Sequence, residues 1–276
     1  MDKIEIQLPA EFSPVHESTL TAYLAGTLHG REQWRTLFTA VDLLANATIT
    51  EGGKTRTFHQ LYQTLIDDRL ADEYIRQLLI LPNVVQDSPA LWAFYARQIT
   101  QIWHNHYKQM PSLRLLLVYW LYWWNAFARG YAFEVEIFHD LTHSGIQFEA
   151  HDLSLKQERF SPGDLKIGSL LGDIKSSLYF VRLKSISSHD FFIVRLYIGR
   201  QRYTIAVLLK EEVWTLFNGD VLFGNWDTLS QNLSSPVKIE TGNMVFVALD
   251  FDEWKRRVRR WQGEIATNDN SLDTDE

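Results

Sequence analysis

The chain has 276 residues, 46% of them hydrophobic and 13% aromatic, which is typical of a folded globular protein rather than a disordered one. It contains no cysteine, which excludes a disulfide framework, a thiolate metal site and a cysteine nucleophile. The net charge of −7 argues against a uniformly nucleic-acid-binding surface. The N-terminus lacks the basic start and apolar run of a signal peptide, so we expect a cytoplasmic protein.

Residues 1–110 are predicted to form an all-helical N-terminal domain, interrupted only by a short hairpin around Gly52-Gly53. Apolar residues at helical spacing predict helices at 18–47, with a break near Gly30, at 59–79 and at 88–107. The last helix is expected to begin at Ser88-Pro89, because proline is favoured at the first helical position. We expect this domain to select the substrate or to bind partner proteins.

Residues 111–263 are predicted to form a second domain of α/β class, followed by a disordered acidic tail at 264–276. Its first helix starts at Pro111 and contains an apolar run over 115–124. That run is about half of the ~20 residues that a membrane span needs, so we predict a buried helix and no membrane partner. Gly130 is expected to break or kink this helix.

The rest of the second domain is predicted to alternate between helices and strands. A helix at 131–143 is expected to end at Gly145, because glycine readily adopts the left-handed conformation at a helix C-terminus. The further predicted elements are a strand at 146–153, a hairpin at 162–175, a short helix at 176–186, strands at 191–198, 203–209 and 244–249, and a basic helix at 253–262.

The hairpin at 162–175, PGDLKIGSLLGDIK, is the most informative stretch of the chain. A two-residue turn at Gly168-Ser169 places Asp164 directly opposite Asp173, with both carboxylates on one face. The other face carries the apolar side chains of Leu165, Ile167, Leu170 and Ile174. The hairpin therefore has one core face and one face with facing acids.

Two carboxylates directly opposite each other repel and lower stability, unless a cation lies between them. A hard ion such as Mg²⁺ binds one or two carboxylates and keeps its other positions for water and phosphate. Lys175 shares the face of Asp173, where it is placed to hold an attacking water or to offset charge on a phosphate. The alternative is a solvated polar face without an ion.

Positive charge is concentrated around this hairpin although the whole chain is acidic. Between Ser154 and Lys210 there are ten basic and four acidic residues. The basic ones are Lys156, Arg159, Lys166, Lys175, Arg182, Lys184, Arg195, Arg200, Arg202 and Lys210. A locally basic segment is typical of a protein that binds a phosphate backbone.

A helix with an acid, a strand, a hairpin with Asp and then Asp-x-Lys, a helix and a strand follow one another here. This order resembles the PD-(D/E)xK nuclease superfamily, the restriction-endonuclease-like fold, over residues 128–210. The matching residues are Glu134 in GYAFEVEIF, Asp164 in SPGD, and Asp173 and Lys175 in GDIKSS. The resemblance implies a restriction-endonuclease-like mixed β-sheet core that is flanked by helices and preceded by the helical domain.

The same resemblance implies metal-dependent hydrolysis of a phosphodiester, most often in DNA. The groups that would bind Mg²⁺ or Mn²⁺ are the carboxylates of Glu134, Asp164 and Asp173 and the backbone carbonyl of Ile174. Lys175 would orient or activate the water. Ser176 and Ser177 would contact a nearby phosphate, although capping the following helix is an equally good role. Because cutting both strands usually calls for two active sites, a homodimer is expected.

Three neighbouring residues give alternative assignments. Glu136 competes with Glu134, but it lies about 200° around the helix from it, so only one of them can face the sheet well. Asp152 is the alternative to Asp164, although it lacks an opposing partner on the hairpin. His151, beside Asp152, is a candidate phosphate contact.

Two further signals concern histidines and the C-terminal helix. His139 and His143 have the i, i+4 spacing of zinc-protease helices, but Asp140 stands where the catalytic Glu is needed and no clear third ligand follows. An ordinary helix end is therefore predicted. The basic helix is either a nucleic-acid contact or a solvated surface, and its candidate contacts are Lys255, Arg256 and Arg259.

The leading hypothesis is a Mg²⁺-dependent DNA endonuclease or nickase of a prokaryotic defence, mobile-element or repair system. The second hypothesis is a catalytically inactive DNA-binding or assembly module that keeps the fold without the chemistry. The third is an RNA-directed nuclease. Cleavage assays on both polymers separate these three hypotheses.

Overall fold

The computed structural model describes residues 4–107, 113–160, 163–176, 188–198, 201–216, 221–241 and 244–272. The protein is of mixed α/β class, as predicted. It divides into two compact units, Met1–Tyr131 and Ala132–Glu276. The sequence predicted the division after residue 110, whereas it falls inside a long helix.

The first unit consists of helices and one small sheet. Its helices are α1 (Pro14–Leu24), α2 (Gly30–Ala45), α3 (Phe58–Tyr62), α4 (Asp72–Leu79) and α5 (Val84–Tyr107), and a π-helical segment, Gln63–Ala71, lies between α3 and α4. The strands β1 (Glu5–Gln7), β2 (Thr48–Glu51) and β3 (Lys54–Thr57) form an antiparallel sheet. The unit is therefore not all-helical, because the N-terminal segment pairs with the predicted hairpin as a third strand.

Helix α5 begins earlier than the sequence predicted. It starts at Val84 and contains Pro89 inside it, so a start at Ser88-Pro89 is wrong. Asn83 supplies the start signal, because its side-chain oxygen accepts a hydrogen bond from the N–H of Gln86 at 3.1 Å. This bond satisfies one of the amides that lack a partner in the first turn of a helix.

Helix α6 (Arg114–His143) runs through Gly130 without interruption, so the predicted break is wrong. A glycine inside a helix costs only about 1 kcal/mol relative to alanine, and fully buried neighbours such as Ala128 and Phe133 offset that cost. Gly145 follows the helix with φ of 68°, as predicted for its end. Among the described residues, no helix is both long and apolar enough to cross a membrane.

The second unit is built on one eight-stranded sheet. Its strands are β4 (Glu149–Ala150), β5 (Leu165–Ile167), β6 (Leu170–Lys175), β7 (Phe191–Ile198), β8 (Gln201–Leu208), β9 (Leu222–Gly224), β10 (Val237–Thr241) and β11 (Met244–Asp250). The order across the sheet is β4-β5-β6-β7-β8-β11-β10-β9. The neighbours β6 and β7 run parallel, as do β9 and β10, and the other pairs are antiparallel.

In the described part of the second unit, this sheet is accompanied by the end of α6 and by the helices α7 (Glu211–Leu216), α8 (Trp226–Gln231) and α9 (Phe251–Leu272). Helix α9 passes Gly263 and continues to Leu272, so the predicted helix end at 262 and the disordered tail from 264 are wrong up to that residue. Gly263 does not adopt the positive φ with which Gly145 follows α6, so the helix continues through it. The predicted strand at 146–153 shrinks to β4, and most of the predicted helix at 176–186 lies outside the described residues.

Both faces of the central strand β7 are buried. Phe191 and Ile193 pack into a core with residues of α6 and α9, whereas Phe192 and Val194 pack into a second core with Leu229 of α8. A strand covered on both faces carries a continuous apolar run, here FFIV, instead of strict alternation. Strand β6 pairs with this buried strand from Gly172 to Lys175.

Candidate metal centre

The hairpin β5–β6 has the register that the sequence predicted. The cross-strand pairs are Leu165 with Gly172, Lys166 with Leu171 and Ile167 with Leu170. Gly168 in the turn has φ of 58°, a conformation that strains residues with a side chain. Asp164 lies just before the paired residues: its N–H donates to the carbonyl of Gly172 at 3.1 Å, and its carboxyl group is hydrogen-bonded with that of Asp173.

The apolar face of the hairpin is the anchor of the site. Leu165, Ile167, Leu170 and Ile174 are all buried in the core with residues of α6 and α9, as predicted. Full burial of such a side chain contributes about 1.5–3 kcal/mol, so this face is strongly held. The aspartates, which project from the opposite face, are fixed with it.

Both aspartates are buried, with exposed fractions of 8% for Asp164 and 7% for Asp173. The N–H of Ile174 donates to Asp164 Oδ2 at 2.7 Å and to Asp173 Oδ1 at 2.8 Å. The N–H of Ile174 would pair with β5 if that strand were longer. Here it binds both carboxylates instead. The N–H and carbonyl of a strand residue point to the same neighbour, so the Ile174 carbonyl is directed toward these acids as well.

Lys175 lies beside Asp173, as the sequence predicted. Its Nζ is 2.6 Å from Asp173 Oδ1, and its side chain is 35% exposed, more than either aspartate. The ammonium group therefore lies between the buried acids and solvent. A group in this position can donate hydrogen bonds to a ligand that enters from solvent.

The electrostatics of the two aspartates differ. Burial raises the pKa of Asp164 to about 9, and hydrogen bonding with Asp173 and the charge of Glu134 act in the same direction. Burial also acts to raise the pKa of Asp173, but the hydrogen bond from Asp164 and the charge of Lys175 outweigh it, so that pKa is lowered. The pair therefore holds one proton at neutral pH, on Asp164. A bound cation relieves this strain between like charges.

Glu134 reaches the same place from helix α6. In the described part of the chain, Glu134, His151 and Asp164 form the group of three potential metal ligands whose ligand atoms all lie within 4.8 Å of one another. Carboxylates are the ligands that Mg²⁺ and Mn²⁺ prefer. This donor set fits a divalent ion, whereas the predicted ligand Asp173 is not a member of the group and contacts Asp164 and Lys175 instead.

The two alternative acids are engaged elsewhere. Glu136 forms an ion pair with Arg195 at 2.5 Å, and the Arg195 guanidinium lies 4.0 Å from the centre of the Phe133 ring. Asp152 accepts hydrogen bonds from the backbone and hydroxyl of Ser154 at 2.8 and 2.6 Å. Neither Glu136 nor Asp152 belongs to the group of potential metal ligands among the described residues.

The pair of histidines at i, i+4 belongs to an ordinary helix end, as predicted. His143 Nδ1 is 2.6 Å from the carbonyl oxygen of His139, and the Asp140 carboxylate is 2.8 Å from Lys255 Nζ. Asp140 is therefore occupied by an ion pair. Neither histidine belongs to the potential metal group found among the described residues.

The prediction that Lys255 contacts nucleic acid is wrong. Its Nζ is 2.8 Å from both Asp140 and Asp252, and its side chain is buried. A buried and paired ammonium group is not available to a phosphate. Arg256 pairs with Glu253 at 2.6 Å but remains exposed, and Arg259 is exposed on the same helix.

The basic segment around the hairpin is partly neutralised. Arg195 is paired with Glu136, and the Nζ of Lys210 lies 2.5 Å from Asp190 Oδ1. Arg182, Lys184, Arg200 and Ser177 lie outside the described residues, and Ser176 is exposed at the end of β6. The phosphate-binding role of this segment stays a prediction.

Two histidines lie at the site. His189 was not predicted there, and His151 was predicted only as a phosphate contact. His151 has its Nε2 3.3 Å from Glu134 Oε2 and its Nδ1 3.8 Å from Asp164 Oδ1. His189 is buried just before β7, with its Nε2 3.9 Å from Asp173 Oδ2. No local motif identifies either residue, because pairing of β4 with β5 and of β6 with β7 brings them to the acids.

Comparisons of the chain with protein-family models, with curated proteins and with solved structures found no match. Fold alone does not set function, so the evidence for function lies in the site itself. The site combines three carboxylates, one lysine and two imidazoles around the β5–β6 hairpin. This combination is suited to holding a divalent cation and a negatively charged ligand.

Proposed function

We propose that the protein hydrolyses phosphodiester bonds in DNA with the help of a divalent metal ion. The observation that carries this proposal is the buried pair Asp164 and Asp173, with Lys175 beside it and Glu134 facing Asp164. We further propose that the second unit is a restriction-endonuclease-like domain. The order of α6, β4, the β5–β6 hairpin and a β7 that runs parallel to β6 supports this assignment.

Glu134, Asp164 and Asp173, with the carbonyl of Ile174, would hold Mg²⁺ or Mn²⁺. When bound, the ion supplies electrostatic stabilisation of the negative charge that develops on the phosphate. Asp164 carries a proton in the metal-free pair and must release it when it binds the ion. Burial of the acids lowers the local dielectric constant and strengthens their attraction for the ion.

Lys175 acts in this proposal as a hydrogen-bond donor that orients the attacking water. Burial acts to lower the pKa of its ammonium group, but the charges of Asp173 and Asp164 outweigh it, so that pKa is raised. An ammonium that stays protonated does not serve as the general base. It instead holds the water or an anionic phosphate oxygen, from its partly exposed position beside Asp173.

The test is a cleavage assay on supercoiled plasmid, linear duplex DNA, single-stranded DNA and RNA of the same sequence, with Mg²⁺, Mn²⁺ or EDTA. We expect nicked or linear DNA with either metal and none with EDTA. DNA binding without cleavage in every metal would instead favour the assembly module. Cleavage of RNA alone would favour the RNA-directed nuclease.

Several wider features stay predictions of this proposal. Exposed Arg256 and Arg259 on α9 and Ser176 at the end of β6 are available to contact DNA. The first unit would select the substrate or bind partner proteins, and two copies would cooperate to cut both strands. A cytoplasmic role in prokaryotic defence, mobile-element transfer or repair fits such an activity.

A further inference from the structure

His151 is fixed between two of the proposed metal ligands. The backbone N–H of His151 donates to the backbone carbonyl of Asp164 at 3.2 Å, which continues the pairing of β4 with β5. Its ring packs edge-on against Phe138, with ring centres 6.1 Å apart. The side chain is only 5% exposed. Backbone pairing and packing together hold the imidazole beside Glu134 and Asp164.

The ligand atoms of Glu134, His151 and Asp164 are close enough together to share one metal ion. Ligands bound at about 2.1 Å to an octahedral ion lie about 3.0 Å apart when adjacent and about 4.2 Å apart when opposite. One ligand atom from each of Glu134, His151 and Asp164 lies within 4.8 Å of the other two, and the shortest approach is His151 Nε2 to Glu134 Oε2 at 3.3 Å. An ion held by these two carboxylates is therefore within bonding reach of one nitrogen of His151.

The burial of His151 favours a role as a metal ligand over the phosphate contact that the sequence predicted. A side chain that contacts an incoming phosphate must present a nitrogen to solvent, whereas the ring of His151 is almost fully enclosed by Glu134, Asp164 and Phe138. Its nitrogens face carboxylates rather than an open surface. The geometry thus favours an ion shared with the acids over direct contact with DNA.

We propose that His151 is a ligand of the metal ion and that its nitrogen makes the centre select Mn²⁺ over Mg²⁺. The inference rests on the proposed function, because it concerns the same site. Mg²⁺ is a hard ion that strongly prefers oxygen ligands. An imidazole nitrogen raises the affinity for transition metals instead, so a Glu–Asp–His set gains more with Mn²⁺ than with Mg²⁺.

The first test measures the Kd of Mn²⁺ and of Mg²⁺ by calorimetry for the full chain and for two variants. We expect the unmodified protein to bind Mn²⁺ at least about tenfold more tightly than Mg²⁺. In His151→Gln, Mn²⁺ binding should weaken about tenfold while Mg²⁺ binding changes less than about threefold. His143→Gln removes an exposed histidine of α6 outside the site and should change neither value. An unaltered selectivity ratio in His151→Gln would overturn the proposal.

The second test detects the coordinated nitrogen directly, first in the unmodified protein and then in the variants. Electron spin-echo spectroscopy of the Mn²⁺-bound protein should show ¹⁴N modulation from a coordinated imidazole, and His151→Gln should remove it. Bound Mn²⁺ without ¹⁴N modulation, or a signal that disappears only in His189→Gln, would overturn the assignment of His151. Either result leaves the carboxylate site and the proposed cleavage intact. Failure to bind any divalent ion would contradict the proposed function as well.

Discussion

The hairpins β2–β3 and β5–β6 bring together side chains of opposite character. In β2–β3, Glu51 lies opposite Lys54, and the hydroxyl oxygens of Thr50 and Thr55 are 2.8 Å apart. Opposite charges and paired hydroxyls across a hairpin each contribute about 0.2–1 kcal/mol. Both cross-strand pairs next to the turn therefore stabilise this hairpin.

At β5–β6, by contrast, two buried acids, Asp164 and Asp173, are in direct contact. The pair has to retain a proton, and Lys175 offsets only part of the remaining charge. A hairpin selected for stability alone would carry complementary groups here, as β2–β3 does. The difference supports the proposed cation site, because the charge of a bound cation would offset the repulsion between the two acids.

The largest effect is expected for the polar face of β5–β6. Asp173→Ala and Lys175→Ala should each reduce Mg²⁺-dependent cleavage by about 10³-fold or more, because one removes a proposed metal ligand and the other the group proposed to orient the water. Circular dichroism and Tm should show a folded protein. Lys54→Ala, which removes the lysine of the other hairpin, should leave cleavage unchanged. Full activity in either hairpin β5–β6 variant would sink the nuclease assignment.

A second contrast lies on helix α6, where two nearby glutamates have different roles. Glu134→Gln should lower cleavage at fixed Mg²⁺ about 10²-fold with little change in Tm, because it removes a ligand charge. Glu136→Gln should lower stability by about 1–2 kcal/mol, because it leaves the mostly buried Arg195 guanidinium without its counter-charge. Its cleavage rate should stay within a few-fold of the unmodified protein. Denaturant unfolding and rate measurements on both variants check this, and a reversed pattern would assign the metal to Glu136.

Asp164→Asn should stabilise the metal-free protein while abolishing metal binding. The asparagine cannot ionise and still donates a hydrogen bond to Asp173, so we expect a gain of about 1–3 kcal/mol at pH 8. Added Mg²⁺ should raise the Tm of the unmodified protein but not of the variant. A variant that is destabilised without metal would show that the two acids do not strain the fold.

The pH dependence follows from the raised pKa of Asp164. That pKa is about 9 in the folded protein and 3.8 in the reference state, so between these values the folded state binds more protons than the unfolded state. The contribution of Asp164 to stability is therefore present at low pH and is lost as the pH rises toward 9. The Tm increase caused by Mg²⁺ should grow from pH 6 to pH 9, because the ion competes with this proton. A Tm shift that is constant with pH would contradict the shared proton.

The smallest effect is expected in β2–β3. Lys54→Glu creates a like-charge pair with Glu51, but both side chains reach solvent, so the loss should be about 0.5 kcal/mol or less. Mg²⁺ should not restore this stability, because an exposed pair does not confine an ion. Thermal unfolding with and without Mg²⁺ provides the measurement. A metal-dependent rescue equal to that of β5–β6 would remove the contrast between the hairpins.

Local rules were sufficient to predict the hairpin site. The Gly168-Ser169 turn and strict alternation of side chains fix the register, and the register fixes which residues face each other. Glu134 could be chosen over Glu136 only by resemblance, since helix periodicity separates their directions without showing which one faces the acids. The buried partner of Glu136, Arg195, comes from a distant strand.

Features that depend on distant pairing were missed. His189 reaches Asp173 through the parallel pairing of β6 with β7, and no sequence motif reports that contact. The sequence suggests that Lys255 is a surface charge. In the structure its ammonium group pairs with Asp140 of helix α6, and its side chain is buried. The continuous helix through Gly130 likewise reflects burial, which overrides the weak preference of one residue.

The most direct test of the central claim is a crystal structure of the protein soaked in Mn²⁺, with the ion located by its anomalous scattering. We predict a peak about 2.2 Å from carboxylate oxygens of Asp164 and Asp173 and within reach of Glu134. A peak at His139 and His143 with none at the hairpin, or no peak there at saturating Mn²⁺, would contradict the account.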